Sequence, residues 1–259
     1  SVHAWDLSVR KAHLDATHGY FNGTSVFLQV DGTEDAPCEV VLVKPDGEAY
    51  ADWRVATTLP RVSGEALEYG RFQAKDYDEL IDCPVEMGTF MHARFEACGI
   101  PHEVALTGVF DVDIDRLCAD LTVICTEHLE RMGIPSDLDR FLFQIMVVGN
   151  GYGGLEHRTS TSLICKRDDL PRPGDPEMSD GYRTLLTLSS HEYFHLWNVK
   201  RIKPARFTPF DLTQESPTTL LWAFEGITAY YEPLAMVRCG IVDRKSWLEL
   251  MGRDLTDVM

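Results

Sequence analysis

Two histidines four residues apart, with a glutamate directly after the first, have the clearest chemical meaning in this sequence. They form the pentapeptide His191-Glu192-Tyr193-Phe194-His195. On a helix, residues four apart leave the same face with Cβ atoms roughly 5–6 Å apart, which suits two imidazole ligands of one tetrahedral Zn²⁺ ion. Glu192 would face the same cleft, where it can act as general base on a zinc-activated water. The pentapeptide therefore predicts a hydrolytic zinc site.

A third protein ligand must come from elsewhere in the chain, because catalytic zinc sites commonly have three protein ligands and one open position. His195 is not followed by x-x-G-x-x-H, which excludes the metzincin arrangement with its third histidine. The acidic candidates further along are Asp211, Glu215, Glu225 and Glu232. Glu225 is favoured because it lies in an otherwise apolar helix, where a metal would offset the cost of burying a carboxylate. Glu215 is the alternative ligand, and Glu232 is a candidate for orienting one.

The helix that must position the two histidines is visible in the apolar pattern around them. Leu185, Leu186 and Leu188 form a stripe that enters the pentapeptide. Phe194 and Trp197 continue this stripe at helical spacing. One amphipathic helix is therefore expected to carry both imidazoles on the same side.

The remaining elements follow from periodicity and turn signals. Up to about residue 110, short apolar runs such as Ser25–Val30 alternate with Asn-Gly and Asp-Gly dipeptides, which predicts a mostly-β region. Apolar residues then repeat at helical spacing from Asp113 to a closing Gly133. Further predicted elements are strands at 141–148 and 161–166, a helix at 218–237 that is kinked or broken at Pro233, and a last helix from Ser246 onward.

Composition excludes several classes of protein. The formal net charge of −17 argues against a nucleic-acid partner, because phosphate binding requires a basic surface. Hydrophobic residues make up 44% of the 259, which is typical of a globular core, and no stretch of about 18 apolar residues could span a membrane. Seven scattered cysteines without a C-x-x-C pair indicate neither a disulfide framework nor a structural zinc site. This cysteine pattern favours a reduced compartment and so a cytoplasmic location, with a periplasmic location as the alternative.

The residues around the pentapeptide resemble a known family. The stretch from His191 to Pro204, H-E-Y-F-H-L-W-N-V-K-R-I-K-P, together with Glu225–Tyr231, E-G-I-T-A-Y-Y, resembles the glycyl aminopeptidases. These are zinc metallopeptidases of the gluzincin type, related to aminopeptidase N and thermolysin, and they often carry a PDZ domain. The segments Asp6–Arg10 and Gly19–Ser25 resemble the N-terminal β region of the same family.

The resemblance covers essentially all of the chain and implies its architecture. It implies an α+β fold with a mostly-β N-terminal domain over residues 1–110 and a thermolysin-like catalytic domain over residues 111–259. It also implies truncation at both ends, since family members have further strands before this region and further domains after it. One Zn²⁺ ion per chain would be held by His191, His195 and Glu225.

A glycine-rich segment supplies candidates for substrate binding. It runs Gly151-Tyr152-Gly153-Gly154-Leu155-Glu156-His157. Glycine permits close approach of another backbone, so Gly153 and Gly154 are expected to contact an extended peptide. The segment resembles the Gly-x-Met-Glu-Asn motif of the aminopeptidase N relatives, whose glutamate binds the α-ammonium group of the substrate. This resemblance implies the same role for Glu156, although Leu155 and His157 replace the methionine and asparagine.

Together these features predict an aminopeptidase that removes one residue from peptides with a free N-terminus. By family resemblance, that residue is glycine or alanine. Glu192 would take a proton from the zinc-activated water and deliver it to the leaving amine. Tyr230 and Tyr231 are candidates for stabilising the oxyanion. Two alternatives stay open at this point, a zinc-binding interaction scaffold without catalysis and an endopeptidase that ignores the N-terminus.

Overall fold

All described strands lie before residue 167, and three of the five described α-helices lie after it, in a computed structural model that describes residues 1–258. The strands are β1 (Ala12–Leu14), β2 (His18–Phe21), β3 (Cys38–Leu42), β4 (Arg54–Thr57), β5 (Gly70–Ala74), β6 (Val85–Gly88), β7 (Met91–Ala97), β8 (Ile100–Gly108), β9 (Phe141–Val148), β10 (Gly153–Glu156) and β11 (Ser160–Lys166). The α-helices are α1 (Tyr77–Ile81), α2 (Ile114–Met132), α3 (Asp180–Phe194), α4 (Ile227–Arg238) and α5 (Arg244–Val258). This order confirms the predicted α+β class with a β-rich N-terminal region.

The chain divides into two compact units that interleave along the sequence. The first unit comprises Ser1–Arg94, His102–Phe110 and Arg140–Arg167, and the second comprises Phe95–Pro101, Asp111–Asp139 and Asp168–Met259. One division falls at the expected boundary near residue 110, but β9, β10 and β11 return to the first unit because β9 pairs with β8. The assignment of 1–110 and 111–259 to two domains stays a prediction, and Met259 lies outside the described residues.

Three β-sheets form from the described strands of the first unit. An antiparallel sheet has the order β1-β2-β6-β4, and β3 pairs with β5 alone. A five-stranded sheet has the order β10-β11-β9-β8-β7, with residues 95–101 at the β7–β8 turn assigned to the second unit. β9 is central and parallel to both neighbours, and its side chains are almost all buried, as expected for a parallel strand covered on both faces.

The helices of the second unit begin and end at residues that cap them. Asp113 caps α2 by accepting a hydrogen bond from the backbone N–H of Arg116 at 3.0 Å, and Gly133 follows its last turn at φ 81°. Ser179 caps α3 by accepting from the N–H of Tyr182 at 3.0 Å. α3 packs against both α2 and α4. Within residues 1–258, no helix has the length and apolarity needed to cross a membrane.

Two sequence-based expectations differ from the structure. Ser25–Val30 is not a strand: Gly23–Ser25 forms a 3₁₀ turn, and Leu28 and Val30 point into solvent. Strand propensity is context-dependent, and this run has no strand partner among the described residues. α4 also continues through Pro233, and the departure from regular α-helix comes earlier, as a π-helical turn at Trp222–Gly226.

Gly23 lies where the chain passes closely over α1, which gives a prediction about stability. A Cβ at this position would stand 2.6 Å from the Cα of Ile81 and 2.8 Å from its carbonyl oxygen. Because backbone atoms cannot rotate away, we expect Gly23→Ala to lower the free energy of unfolding by about 1–3 kcal/mol, as overpacked sites do. Gly149→Ala is the control, since a Cβ there meets nothing within 4 Å. Equal urea midpoints for the two variants would contradict this account.

Candidate functional site

The histidine pair lies at the C-terminal end of α3. His191 is in its last turn, and His195 caps it with backbone angles that remain helical, φ −60° and ψ −15°. The ring centroids are 4.6 Å apart and the two Nε2 atoms are 3.0 Å apart. The apolar stripe expected to anchor this helix is buried and consists of Leu185, Leu186, Leu188, Phe194 and Trp197. The structure therefore brings the two imidazoles together as the spacing predicts.

The outer nitrogen of each ring is held by an acceptor. His195 Nδ1 donates to the backbone carbonyl of Asn198 at 2.7 Å. His191 Nδ1 donates to the carboxylate of Glu232. Because a carbonyl and a carboxylate can only accept, each neutral ring carries its hydrogen on Nδ1 and a lone pair on Nε2. Both Nε2 atoms face the same small space.

Glu225 supplies the third group at this space. Its Oε2 atom lies 3.5 Å from Nε2 of His191 and 3.8 Å from Nε2 of His195. It is carried by the π-helical turn at Trp222–Gly226, a local widening of the helix that is frequent at functional sites. Of the other acidic candidates, Glu232 holds His191 from the opposite side, while Asp211 and Glu215 lie in an exposed loop.

The donor set fits a zinc ion. Nε2 of His191, Nε2 of His195 and a carboxylate oxygen of Glu225 lie within 4.8 Å of one another. Bonds of about 2.0–2.1 Å in a tetrahedral site place ligand atoms roughly 3.3 Å apart, which matches the separations of these three atoms. Two imidazole nitrogens and a carboxylate oxygen converge stably only with a positive charge among them, which a proton on a ring or a metal ion supplies. The chemistry and the spacing thus both favour a metal at this point.

The charged groups around His191, His195 and Glu225 also favour a positive charge among these three residues. Burial opposes protonation of His191, but hydrogen bonds to Glu225 and Glu232 outweigh it and raise its pKa to about 10. The hydrogen bond from His191 lowers the pKa of the Glu225 carboxyl, with burial acting against it. The Glu225 carboxylate therefore stays ionised beside the imidazoles. A bound divalent cation would balance its charge.

Glu192 is buried next to the candidate metal ligands, and its role as general base stays a prediction. Its side chain is buried, with 5% of the residue exposed, one position after the first histidine of α3. A carboxylate oxygen of Glu192 lies within 4.8 Å of a ring nitrogen of His195. Its charge also contributes to the raised pKa of His191. The predicted general base is therefore buried beside the three candidate ligands.

A series of buried hydrogen bonds next to His191 has no recognisable sequence motif. Ser190 donates from Oγ to the backbone carbonyl of Glu232 at 3.0 Å, and His128 Nε2 donates to Ser190 Oγ at 2.8 Å. Burial lowers the pKa of His128 to about 4, so its ring stays neutral. These hydrogen bonds join α2, α3 and α4 at the point where Glu232 binds His191. Only the fold brings these residues together, because they are far apart in sequence.

Removal of the Glu232 charge should weaken metal binding. Glu232→Gln keeps the shape of the side chain but replaces the carboxylate that orients His191 with an amide. Loss of such an outer partner typically costs 10- to 100-fold in metal affinity, so we expect the dissociation constant for zinc to rise by about that factor. Competition with a chromogenic chelator measures it. Wild-type affinity in Glu232→Gln would show that this contact does not support the ligand.

The residues predicted to bind substrate lie in the first unit. Gly153, Gly154 and Glu156 belong to β10, which pairs on one side with β11, with Glu156 opposite Thr161. β10 ends the order of its sheet, so among the described residues its other edge carries no strand. Such an edge offers backbone N–H and C=O groups to an extended chain. The ammonium-binding role of Glu156 stays a prediction.

The two tyrosines proposed for the oxyanion differ in their surroundings. The ring of Tyr231 stacks on Phe194 with centroids 4.9 Å apart and planes 7° apart, which is a packing contact of the core. Tyr230 is 46% exposed. The role of either residue in oxyanion stabilisation stays a prediction.

Comparison with known proteins gives a consistent set of similarities. The family model of the M61 glycyl aminopeptidases matches residues 184–259, and that of the M61 peptidase N-terminal domain matches residues 1–89. A solved structure of an aminopeptidase N family protein from Idiomarina loihiensis is 45% identical in sequence and superposes with a TM-score of 0.93. The similarity covers 96% of this chain but only 42% of that one. No curated protein matched the chain.

Proposed function

The chain belongs to the M61 glycyl aminopeptidase family of peptidases, and on this premise we propose that it acts as a zinc-dependent aminopeptidase. The substrate would be a peptide with a free N-terminus, from which one residue, glycine or alanine by family resemblance, is removed. One Zn²⁺ ion per chain would be held by His191, His195 and Glu225. Because the chain spans 42% of the matched structure, activity, substrate and partners of the whole protein are part of this proposal.

The convergence of two imidazoles and a carboxylate is the observation that carries the proposal. His191 and His195 each have Nδ1 occupied by an acceptor and Nε2 turned toward Glu225. Such an arrangement is unfavourable unless a positive charge lies among the three groups. It is the arrangement that a catalytic zinc site requires, with outer partners that fix the orientation of each ligand.

Each residue around the centre then has a distinct task. When bound, Zn²⁺ supplies a Lewis acid that polarises a carbonyl group and makes water a nucleophile near neutral pH. The carboxylate of Glu192 accepts a proton from that water and returns it to the leaving amine. Glu232 and the carbonyl of Asn198 hold the two imidazoles so that Nε2 of each ring is turned toward Glu225.

Recognition of the substrate N-terminus is assigned to Glu156 in this proposal. An extended substrate would pair with the open edge of β10, where glycines at 153 and 154 leave room for its backbone. The carboxylate of Glu156 would bind the α-ammonium group of the substrate. The net charge of −17 agrees with a cationic group as ligand. We propose no nucleic-acid partner for this chain. Its cytoplasmic location stays a prediction.

Glu156→Gln should selectively weaken turnover of free-amine substrates. A hydrogen bond to a charged group contributes about 1.5–3 kcal/mol, so kcat/KM for glycyl substrates should fall roughly 10- to 100-fold. Most of this loss should appear in KM, because the ammonium group does not react. Glu48→Gln, an exposed glutamate of the first unit, controls for the lost charge. Equal losses in both variants would argue against an ammonium-binding role.

Hydrolysis of glycyl- and alanyl-naphthylamide by the zinc-loaded chain tests the proposed function. N-acetylated forms of the same substrates provide the comparison. Cleavage of the free amines alone, abolished by a chelator and restored by zinc, is the expected result. Equal cleavage of acetylated substrates would instead identify an endopeptidase. Stoichiometric zinc binding without turnover, by this chain and by a longer form that contains it, would identify an interaction scaffold.

A further inference from the structure

Asn198 contacts both of the segments that supply candidate metal ligands. It lies three residues after His195, in the turn that follows α3, and 8% of it is exposed. Its backbone N–H donates to the carbonyl of Phe194 at 3.2 Å, and its own carbonyl accepts from His195 Nδ1 at 2.7 Å. The main chain of Asn198 is thereby fixed against the end of the helix that carries both histidines.

The side chain of Asn198 extends to the turn that carries Glu225. Its Nδ2 atom lies 3.0 Å from the carbonyl oxygen of Ala223, 3.4 Å from that of Phe224 and 3.2 Å from Oγ1 of Thr228. Thr228 is fully buried, and its hydroxyl donates to the same Phe224 carbonyl at 2.6 Å. Two consecutive carbonyls directly before Glu225 are thus bonded by donors outside the regular backbone pattern of the helix.

These contacts account for the position of the π-helical turn at Trp222–Gly226. Such a turn departs from the i→i−4 pattern, and its buried carbonyl groups are costly unless a donor reaches them. The amide of Asn198 and the hydroxyl of Thr228 provide those donors. A change in either side chain should let the turn relax, and the carboxylate of Glu225 would move with it.

We propose that Asn198 is a positioning residue which, with Thr228, sets the distance between the His191–His195 pair and Glu225. The inference rests on the proposed function, because it assigns these three residues to one metal ion. The carbonyl of Asn198 orients one ligand and its amide group fixes the backbone of another. One residue therefore couples the two ligand-bearing segments, which come from separate parts of the sequence.

Substitutions at both positions separate this role from a general contribution to stability. Asn198→Asp keeps the size and the backbone contact but places a carboxylate against two carbonyls. Thr228→Val removes the hydroxyl at constant shape, and Thr228→Ser retains it. Trp197→Phe is the matched control: it deletes a buried hydrogen bond of the neighbouring residue, from Nε1 to the carbonyl of Gly133 at 2.9 Å, which does not involve the Glu225 turn.

The experiment measures zinc affinity, the visible spectrum of the Co²⁺-substituted chain and thermal unfolding of the metal-free chain. We expect Asn198→Asp and Thr228→Val to weaken zinc binding by about 10- to 100-fold and to change the Co²⁺ spectrum. Trp197→Phe should lose thermal stability only, and Thr228→Ser should resemble wild type. The inference would be overturned if Asn198→Asp and Thr228→Val both bound zinc with wild-type affinity and left the Co²⁺ spectrum unchanged. A wild-type chain that binds no zinc would overturn the proposed function itself, so the two failures are distinguishable.

Discussion

Replacement of Glu192 by glutamine should lower kcat by about 10²- to 10⁴-fold without loss of zinc. Glutamine has the same size but cannot accept a proton from water at neutral pH. Glu192 is buried beside the proposed zinc ligands and is not one of those three, so the metal should stay bound. Steady-state hydrolysis of glycyl-naphthylamide, with the zinc content measured on the same samples, checks both parts of this expectation.

Two outcomes would contradict the role of Glu192. A variant with kcat within about tenfold of wild type would show that another group takes the proton. Loss of zinc together with loss of activity would show that Glu192 supports the ligands instead. A pH profile separates these cases further, because the limb that reports the general base should vanish in Glu192→Gln.

Glu225→Gln should weaken zinc binding by more than about 100-fold, beyond the cost of losing an outer partner of a ligand. The amide oxygen is a neutral and weaker donor than the carboxylate, whose Oε2 lies 3.5 Å from His191 Nε2. Activity should fall with metal occupancy and recover only in part at high zinc. Chelator competition gives the affinity, and activity across zinc concentrations gives the recovery.

Glu215→Gln is the matched control for this substitution. Glu215 was the alternative acidic ligand on the sequence alone, and it lies exposed in the loop before the π-helical turn. We expect Glu215→Gln to bind zinc like wild type. The opposite pattern, weak binding in Glu215→Gln and normal binding in Glu225→Gln, would mean that the loop folds over the centre and replaces Glu225.

Local periodicity was sufficient to predict the histidine pair and its helix. The spacing of His191 and His195, and the leucines before them, depend only on the geometry of one α-helix. These features need no knowledge of which elements pack together. The choice of Glu225 assumed a carboxylate buried in an apolar helix, whereas its side chain is half exposed, and its role as ligand stays a prediction.

The rest of the site depends on tertiary contacts, which local sequence patterns do not predict. The π-helical turn has no sequence signature here, because its stability depends on an amide from Asn198, in a different segment of the chain. The same holds for Ser190 and His128, which meet Glu232 only once three helices are packed. The prediction of a strand at Ser25–Val30 was wrong, because an apolar run forms a strand only if a partner strand is present.

X-ray absorption at the zinc edge, on the chain loaded with one equivalent of zinc, tests the central claim most directly. The account predicts one tightly bound ion with nitrogen and oxygen ligands at about 2.0–2.2 Å and the outer scattering of two imidazole rings. Both ring signals should be lost in a His191→Ala/His195→Ala double variant. A sulfur shell at about 2.3 Å would contradict the account, because it would place the ion on some of the seven cysteines instead.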